Sequence, residues 1–165
     1  MVPETREHIF IVDDNEIYAM MLDYILSKES TYKFSSFRSG EDCIRNLNKN
    51  PDIVILDYSM PGMNGYDVLL EIKRYNPDIH VVILTGQYDA KLEAELLESG
   101  ADDYIVKQGH GEKQVVEKIE SLLATDEWRE SINSKIHREL LFKRLAYFSI
   151  IVLSAFIITI IFKLW

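Results

Sequence analysis

The sequence predicts an α/β fold, a doubly wound five-stranded parallel sheet with helices on both faces. Short apolar runs alternate with helical patterns, and each repeat takes roughly 20–25 residues, the length of a strand plus its crossover helix. The runs near residues 8–13, 51–57 and 79–85 are apolar at nearly every position. Strands buried on both faces of a parallel sheet show this composition. Right-handed crossovers between such strands place helices on both sides of the sheet.

The other elements follow from their own patterns. The run 32–37 contains more polar residues, which indicates an edge strand. Ile17, Met21 and Ile25 recur at helical spacing and predict the first helix. The fifth helix is predicted by the same spacing of Val116, Ile119 and Leu123.

Five polar side chains follow or end four of the predicted strands. They are Asp13, Asp14, Asp57, Thr85 and Lys107. The carboxyl ends of parallel strands meet at one edge of the sheet, so these side chains are expected to lie together. Three carboxylates at close range repel one another unless a counter-ion is present. A divalent cation and the lysine supply that positive charge, and the arrangement suits a carboxylate that accepts a phosphoryl group.

These strand-end motifs, in this order, resemble the receiver domain of two-component response regulators. The resemblance covers residues 7 to about 124 and implies a flavodoxin-like sheet with strand order 2-1-3-4-5. The motifs that support it are Asp13-Asp14, Asp57, Met60-Pro61-Gly62, Thr85-Gly86 and the segment from Gly100 to Lys107.

The resemblance also implies roles for the acidic residues. Asp57 is the expected phosphoacceptor, since a carboxylate can attack phosphorus and form an aspartyl phosphate. Mg²⁺ is the expected cofactor, because it prefers oxygen ligands and keeps several waters. Its expected ligands are Asp14, Asp57 and the backbone carbonyl of Ser59, with Asp13 acting through a water.

Three further residues receive roles from the same resemblance. Lys107 is expected to pair with the acidic cluster and then with the phosphoryl oxygens. Thr85 is expected to be the switch hydroxyl that binds the phosphoryl group. Tyr104 is expected to be the switch aromatic, and the alternative is a half-buried strand aromatic, since strands favour Tyr.

One position departs from the family pattern, which usually has Pro after the lysine, often with a cis peptide bond. Here Gln108 follows Lys107. A cis bond before a residue other than Pro costs about 3–4 kcal/mol. Two alternatives follow, a trans bond with a reshaped loop or a strained cis bond. Gly109 and Gly111 would make reshaping easy.

Composition limits the classes of partner. The net charge of the chain is −9: residues 1–125 carry −11, and residues 126–165 carry +2. The negative charge of residues 1–125 argues against nucleic acid as a partner, because a DNA-binding surface needs basic side chains to neutralise the phosphates. The single Cys43 excludes an intramolecular disulfide. The polar N-terminus has no apolar h-region, so no secretory signal peptide is expected.

Residues 145–162 contain no charged side chain. As a helix this run is roughly 27 Å long, close to the thickness of a bilayer core. Four basic residues in 135–144 precede it, and only Lys163 follows. By the positive-inside rule we expect a single-pass helix in the cytoplasmic membrane, with the N-terminal body in the cytoplasm. The alternatives are a buried core helix or an oligomer interface.

The sequence therefore predicts a receiver domain at 1–124, a helical linker at 125–144 and a transmembrane helix at 145–162. We expect a stand-alone signalling switch without external substrate turnover, although self-dephosphorylation is compatible with it. The expected partners are a histidine kinase or phosphotransfer protein and an unknown downstream protein. One rival is a membrane-tethered adaptor that uses the fold only for docking. A weaker rival is a small hydrolase using Asp57, since no second acid–base residue is evident beside it.

Overall fold

The structure is a computed structural model. It divides into two compact units, residues 1–122 and 123–165. The residues that it describes are 7–29, 32–125, 136–138, 140–141, 143–145 and 147–148.

Strands and helices alternate along the described part of residues 7–125. In chain order they are β1 (His8–Val12), α1 (Glu16–Glu29), β2 (Lys33–Phe37), α2 (Gly40–Arg45), a short 3-10 helix (Leu47–Lys49), β3 (Ile53–Asp57), α3 (Gly65–Tyr75), β4 (His80–Thr85), α4 (Ala90–Glu98), β5 (Asp103–Val106) and α5 (111–125).

The strands form one parallel sheet in the order β2-β1-β3-β4-β5. This confirms the predicted architecture and strand order. The crossover from β1 to β2 leads to one edge of the sheet. The crossover from β2 to β3 passes back over β1, so the direction in which strands are added reverses beside β1. A crevice at such a reversal is the usual ligand position in open α/β sheets.

The central strands form the core. Every residue of β1 and β3 is buried, as their nearly continuous apolar sequence predicts. β2 is partly exposed and lies at the edge, which agrees with its more polar composition. Phe10 and Leu56 are fully buried between the sheet and its helices.

Helices α2, α3 and α4 each follow a side chain that accepts hydrogen bonds from backbone N–H groups of the first turn. Ser39 caps α2, Asn64 caps α3 and Asp89 caps α4. Such caps satisfy donors that have no partner inside the helix. They also determine where each loop at the carboxyl edge of the sheet ends, and these loops surround the strand-end residues.

The described residues after position 135 are helical. Among the described residues, no helix has both the length and the apolar character needed to cross a bilayer. The predicted linker 125–144 is described only in part. The predicted span 145–162 lies outside the described residues, apart from Leu145, Tyr147 and Phe148.

Candidate functional site

The five strand-end residues come together at the carboxyl edge of the sheet. Asp13 and Asp14 follow β1, Asp57 ends β3, Thr85 ends β4 and Lys107 follows β5. The backbone ladder continues to the ends of these strands, where the N–H of Lys107 donates to the carbonyl of Thr85 at 2.8 Å. The sheet itself therefore positions the site.

The acidic residues form a compact trio. One carboxylate oxygen from each of Asp13, Asp14 and Asp57 lies within 4.8 Å of the other two. Asp13 and Asp57 are only 1% and 4% exposed, whereas Asp14 is exposed. The backbone N–H of Ser59 donates to Oδ1 of Asp57 at 3.4 Å. Two of the three carboxylates are therefore held away from solvent, and Asp14 leaves one side of the trio open.

Lys107 supplies the positive charge. Its Nζ atom lies 2.7 Å from Oδ2 of Asp13 and 3.1 Å from Oδ1 of Asp57. Burial raises the pKa of the Asp13 carboxyl, and the hydrogen bonds from Lys107 and from the N–H of Asn15 oppose that shift. Without this ammonium, two buried carboxylates would face each other unpaired, which is strongly unfavourable.

Two glycines allow the helices to begin close behind the site. A Cβ at Gly65, the first residue of α3, would lie 2.8 Å from the carbonyl oxygen of Asp57 and 2.7 Å from Cα of Tyr58. A Cβ at Gly111 would lie 2.5 Å from the carbonyl oxygen of Val106. Real Cβ atoms do not approach backbone so closely. These glycines therefore let α3 and α5 pack against the strand ends that present Asp57 and Lys107.

Thr85 and Tyr104 are both engaged with the loop that follows β4. The Thr85 hydroxyl donates to the carbonyl oxygen of Gln87 at 3.0 Å, and the Tyr104 hydroxyl donates to the same oxygen at 3.1 Å. Thr85 is 4% exposed and Tyr104 is 7% exposed. The structure thus connects the two predicted switch residues through a backbone carbonyl that the sequence did not indicate.

The peptide bond between Lys107 and Gln108 is trans. Of the two predicted alternatives, the trans bond is the one found. The Gln108 side chain extends to the neighbouring loop, where its Nε2 donates to the carbonyl oxygen of Gly86 at 3.0 Å. Gly109 adopts a positive φ of 75°, a conformation that suits glycine. A side-chain hydrogen bond thus joins the segment after Lys107 to the segment after Thr85.

Sequence reasoning missed one residue of the site, Tyr18. Its ring lies beneath the Lys107 ammonium, with Nζ 4.7 Å from the ring centroid. The available signal was local: Asn15 is a good N-cap residue, and it does accept hydrogen bonds from the N–H groups of Ile17 and Tyr18. That signal places Tyr18 in the first turn of α1 beside the acidic pair, but it does not give the direction of its ring.

The donor set fits Mg²⁺. The trio offers carboxylate oxygens, the ligand type that this ion prefers, and the exposed side at Asp14 leaves room for the waters that Mg²⁺ retains. Among the described residues, the trio contains no His or Cys ligand, so softer metals have no preferred donor in it.

Comparison with known proteins identifies the family. Residues 9–120 match the family model described as "Response regulator receiver domain". The response regulator SaeR of Staphylococcus aureus is 35% identical over 116 residues, which cover 70% of this chain and 50% of SaeR. The chain thus spans about half the length of the curated relatives it matches.

Solved structures agree with this assignment. The receiver domain of a LuxO-type repressor protein from Vibrio parahaemolyticus superposes with a TM-score of 0.70 at 23% identity, covering 77% of this chain and 97% of that one. The BeF3-activated receiver domain of DrrB, a Thermotoga maritima protein, superposes with a TM-score of 0.64 at 26% identity, covering 72% and 98%. The fold, the strand-end residues and the family match lead to one conclusion: the chain belongs to the response regulator receiver domain family.

Proposed function

We propose that this chain is a phosphorylation-dependent switch of a two-component system, with Asp57 as the phosphoacceptor. The observation that supports this most strongly is the Lys107 ammonium, which bridges Asp13 and Asp57 at 2.7 and 3.1 Å beside a third carboxylate. An ammonium 3.1 Å from the acceptor carboxylate can contact a phosphoryl group bonded to it.

The donor would be a phosphohistidine on a histidine kinase or phosphotransfer protein. A carboxylate oxygen of Asp57 attacks phosphorus, the new P–O bond forms and the P–N bond to histidine breaks. The imidazole nitrogen leaves with the electron pair of that bond and takes a proton from water. Mg²⁺, held by Asp14, Asp57, the Ser59 carbonyl and Asp13 through a water, would neutralise charge on the phosphoryl oxygens. Lys107 follows the phosphoryl group as a point charge on a flexible stem.

The switch would operate through Thr85. To reach a phosphoryl group on Asp57, its hydroxyl must leave the Gln87 carbonyl, which Tyr104 also contacts. A change at Gln87 alters the loop that leads into α4. We propose that the face built by α4, β5 and α5 then binds a downstream protein differently. The added charge shifts a pre-existing equilibrium between two states.

The chain acts in this proposal as a phosphoacceptor and turns over no external substrate. Loss of the phosphoryl group by hydrolysis would reset it. The rival function, an adaptor that only docks partners, has no use for three converging carboxylates and a buried lysine contact. The two functions differ in one respect that can be measured, which is whether partner binding depends on Asp57.

BeF₃⁻ provides the direct test, because it occupies the position of a phosphoryl group, and the DrrB receiver domain has been solved in its BeF3-activated form. We expect the full chain to bind BeF₃⁻ only when Mg²⁺ is present, measured by calorimetry. Asp57→Asn should abolish this binding, whereas Asp78→Asn, at an exposed turn, should leave it unchanged. Binding that persists in Asp57→Asn would refute the proposal.

We further propose that residues 145–162 form a single-pass helix that places the receiver domain at the cytoplasmic face of the inner membrane. The absence of charge over 18 residues and the preceding basic cluster support it. Such a tether would raise the effective concentration of the receiver near membrane-bound partners. The full chain should float with lipid vesicles in a density gradient, and a chain ending at residue 144 should not. Equal flotation would contradict this part of the proposal.

A further inference from the structure

The Lys107 ammonium has three neighbours in the site. Two are the carboxylates of Asp13 and Asp57, and the third is the face of the Tyr18 ring, 4.7 Å from Nζ to the ring centroid. A cation within about 6 Å of an aromatic centroid is attracted by the ring quadrupole. The side chain of Lys107 is only 19% exposed, so water competes weakly with these contacts.

Hydrogen bonds of the same site hold the backbone of Tyr18. The N–H of Asn15 donates to Oδ1 of Asp13 at 2.9 Å, and Oδ1 of Asn15 accepts from the N–H of Tyr18 at 3.2 Å. Two hydrogen bonds thus connect the buried carboxylate to the first turn of α1. The backbone of Tyr18, whose ring contacts Lys107, is therefore connected through Asn15 to Asp13, which also contacts Lys107.

Tyr18 contributes a neutral ring. Burial raises the pKa of its phenol, and the negative charges of Glu112, Asp13 and Asp57 raise it further. The phenol therefore stays protonated and adds no fourth negative charge. Its hydroxyl is buried and has no hydrogen-bond partner among the described residues, so the ring and not the hydroxyl makes the contact that matters for Lys107.

We propose that Tyr18 is a positioning residue for phosphoryl transfer in this chain: its aromatic face holds the Lys107 ammonium against Asp57, ready for the phosphoryl group. The inference rests on the proposed function of Asp57. A lysine stem has several rotatable bonds, and immobilising it costs entropy. The ring reduces the number of positions that the ammonium can occupy before the phosphoryl group arrives. Less side-chain entropy is therefore lost when the phosphoryl group binds.

The test compares Tyr18→Phe with Tyr18→Leu in the full chain. Phenylalanine keeps the ring and removes only a hydroxyl without a described partner, whereas leucine removes the ring. We expect Tyr18→Phe to bind BeF₃⁻ and Mg²⁺ like the wild type, and Tyr18→Leu to bind BeF₃⁻ about three- to tenfold more weakly, the range of a partly buried cation–π contact. Tyr18→Met is the second ring-free variant, so that a packing defect specific to leucine does not decide the result.

A spectroscopic readout tests the contact without any ligand. Protons above an aromatic face are shifted upfield, so the CεH₂ signal of Lys107 should lie upfield of those of exposed lysines in the wild type and in Tyr18→Phe. It should return to the ordinary lysine position in Tyr18→Leu and Tyr18→Met. The signal is assigned by its loss in Lys107→Arg, and thermal unfolding of each variant shows that it is folded.

The outcomes separate the inference from the function on which it rests. If the wild type binds no BeF₃⁻, the proposed function of Asp57 fails, and the Lys107 signal still reports whether the ring contact exists. If the wild type binds BeF₃⁻ but both ring-free variants bind it equally well, Tyr18 is not a positioning residue. An equal loss of affinity in Tyr18→Phe and Tyr18→Leu would also overturn the inference, because it would assign the effect to the hydroxyl.

Discussion

Thr85 and Tyr104 donate hydrogen bonds to one and the same backbone oxygen. That oxygen belongs to Gln87, and the two distances are 3.0 and 3.1 Å. A carbonyl oxygen has two lone pairs and can accept both donors. The two side chains come from neighbouring strands, so this shared acceptor connects β4 and β5 to the loop that leads to α4.

Tyr104→Phe should lower the free energy of unfolding by about 1 kcal/mol, the typical net contribution of one hydrogen bond. The ring remains in place, and only the bond to Gln87 is lost. Urea denaturation measures the difference. Tyr75→Phe is the matched control, because Tyr75 is 53% exposed and should change stability by less than about 0.5 kcal/mol. Equal effects of the two substitutions would contradict the shared-acceptor arrangement.

Lys107→Met should destabilise the metal-free chain by about 3 kcal/mol, because it leaves two buried carboxylates without their partner. The side chain keeps a similar length, so packing changes little. Unfolding in the presence of a chelator measures the loss. Mg²⁺ should recover much of it, since the cation replaces the missing positive charge next to Asp13 and Asp57.

Lys113→Met is the control for that experiment. The Lys113 side chain is 76% exposed, and its ion pair is the i,i+4 contact with Glu117 on the same helix face, so its removal should cost less than about 0.5 kcal/mol. A Lys107→Met variant no less stable than Lys113→Met would show that the ammonium does not neutralise the acidic trio.

The titration of His8 makes the free energy of unfolding depend on pH. Burial lowers the pKa of the imidazole below 6.5, although the hydrogen bond to the Lys49 carbonyl opposes the shift. The folded pKa is the lower one, so just below about pH 6.5 the unfolded chain binds more protons. This contribution to stability is complete above that pH and is lost as pH falls towards the folded pKa.

His8→Phe should therefore flatten the pH dependence of unfolding below about pH 6.5. It should also lower stability at neutral pH by about 1–2 kcal/mol, because the Lys49 carbonyl loses its donor. Urea denaturation across the pH range measures both effects. His110→Gln, at an exposed position, should leave the slope as it is. If the free energy of unfolding of His8→Phe still varies with pH as in the wild type, His8 does not cause that pH dependence.

Gln108→Ala removes the bond from Gln108 to the Gly86 carbonyl, which ties the β5–α5 segment to the loop after Thr85. We expect amide exchange to become faster in residues 86–89. We also expect BeF₃⁻ to bind about two- to fivefold more tightly, because less hydrogen-bond energy opposes movement of that loop. Gln114→Ala, on the exposed face of α5, is the control. Unchanged exchange in Gln108→Ala would show that this bond does not restrain the loop.

Much of the fold could be predicted because strand burial is visible in the sequence. The unbroken apolar runs at Ile9–Val12 and Ile53–Leu56 are typical of strands buried on both faces of a parallel sheet, and β1 and β3 are such strands. Strand order could not be obtained in this way, since local patterns do not give neighbours. It came from the resemblance to receiver domains, and the sheet confirms it.

The site could be predicted only where strand ends determine it. Asp57 and Lys107 meet because their strands end at the same edge of the sheet. The contacts of Tyr18 and Gln108 could not be predicted, because they depend on how α1 is rotated and on how one loop is shaped. Both are set by tertiary packing between residues far apart in the sequence, such as the 89 positions that separate Tyr18 from Lys107.

The most direct test of the central claim is the intact mass of the full chain after incubation with phosphoramidate, a small phosphoryl donor. The account predicts addition of one phosphoryl group in the wild type, dependent on Mg²⁺, and retention of that addition in the control Asp78→Asn. Asp57→Asn should acquire none. A phosphoryl group on Asp57→Asn, or none on the wild type with Mg²⁺ present, would contradict the claim that Asp57 is the phosphoacceptor.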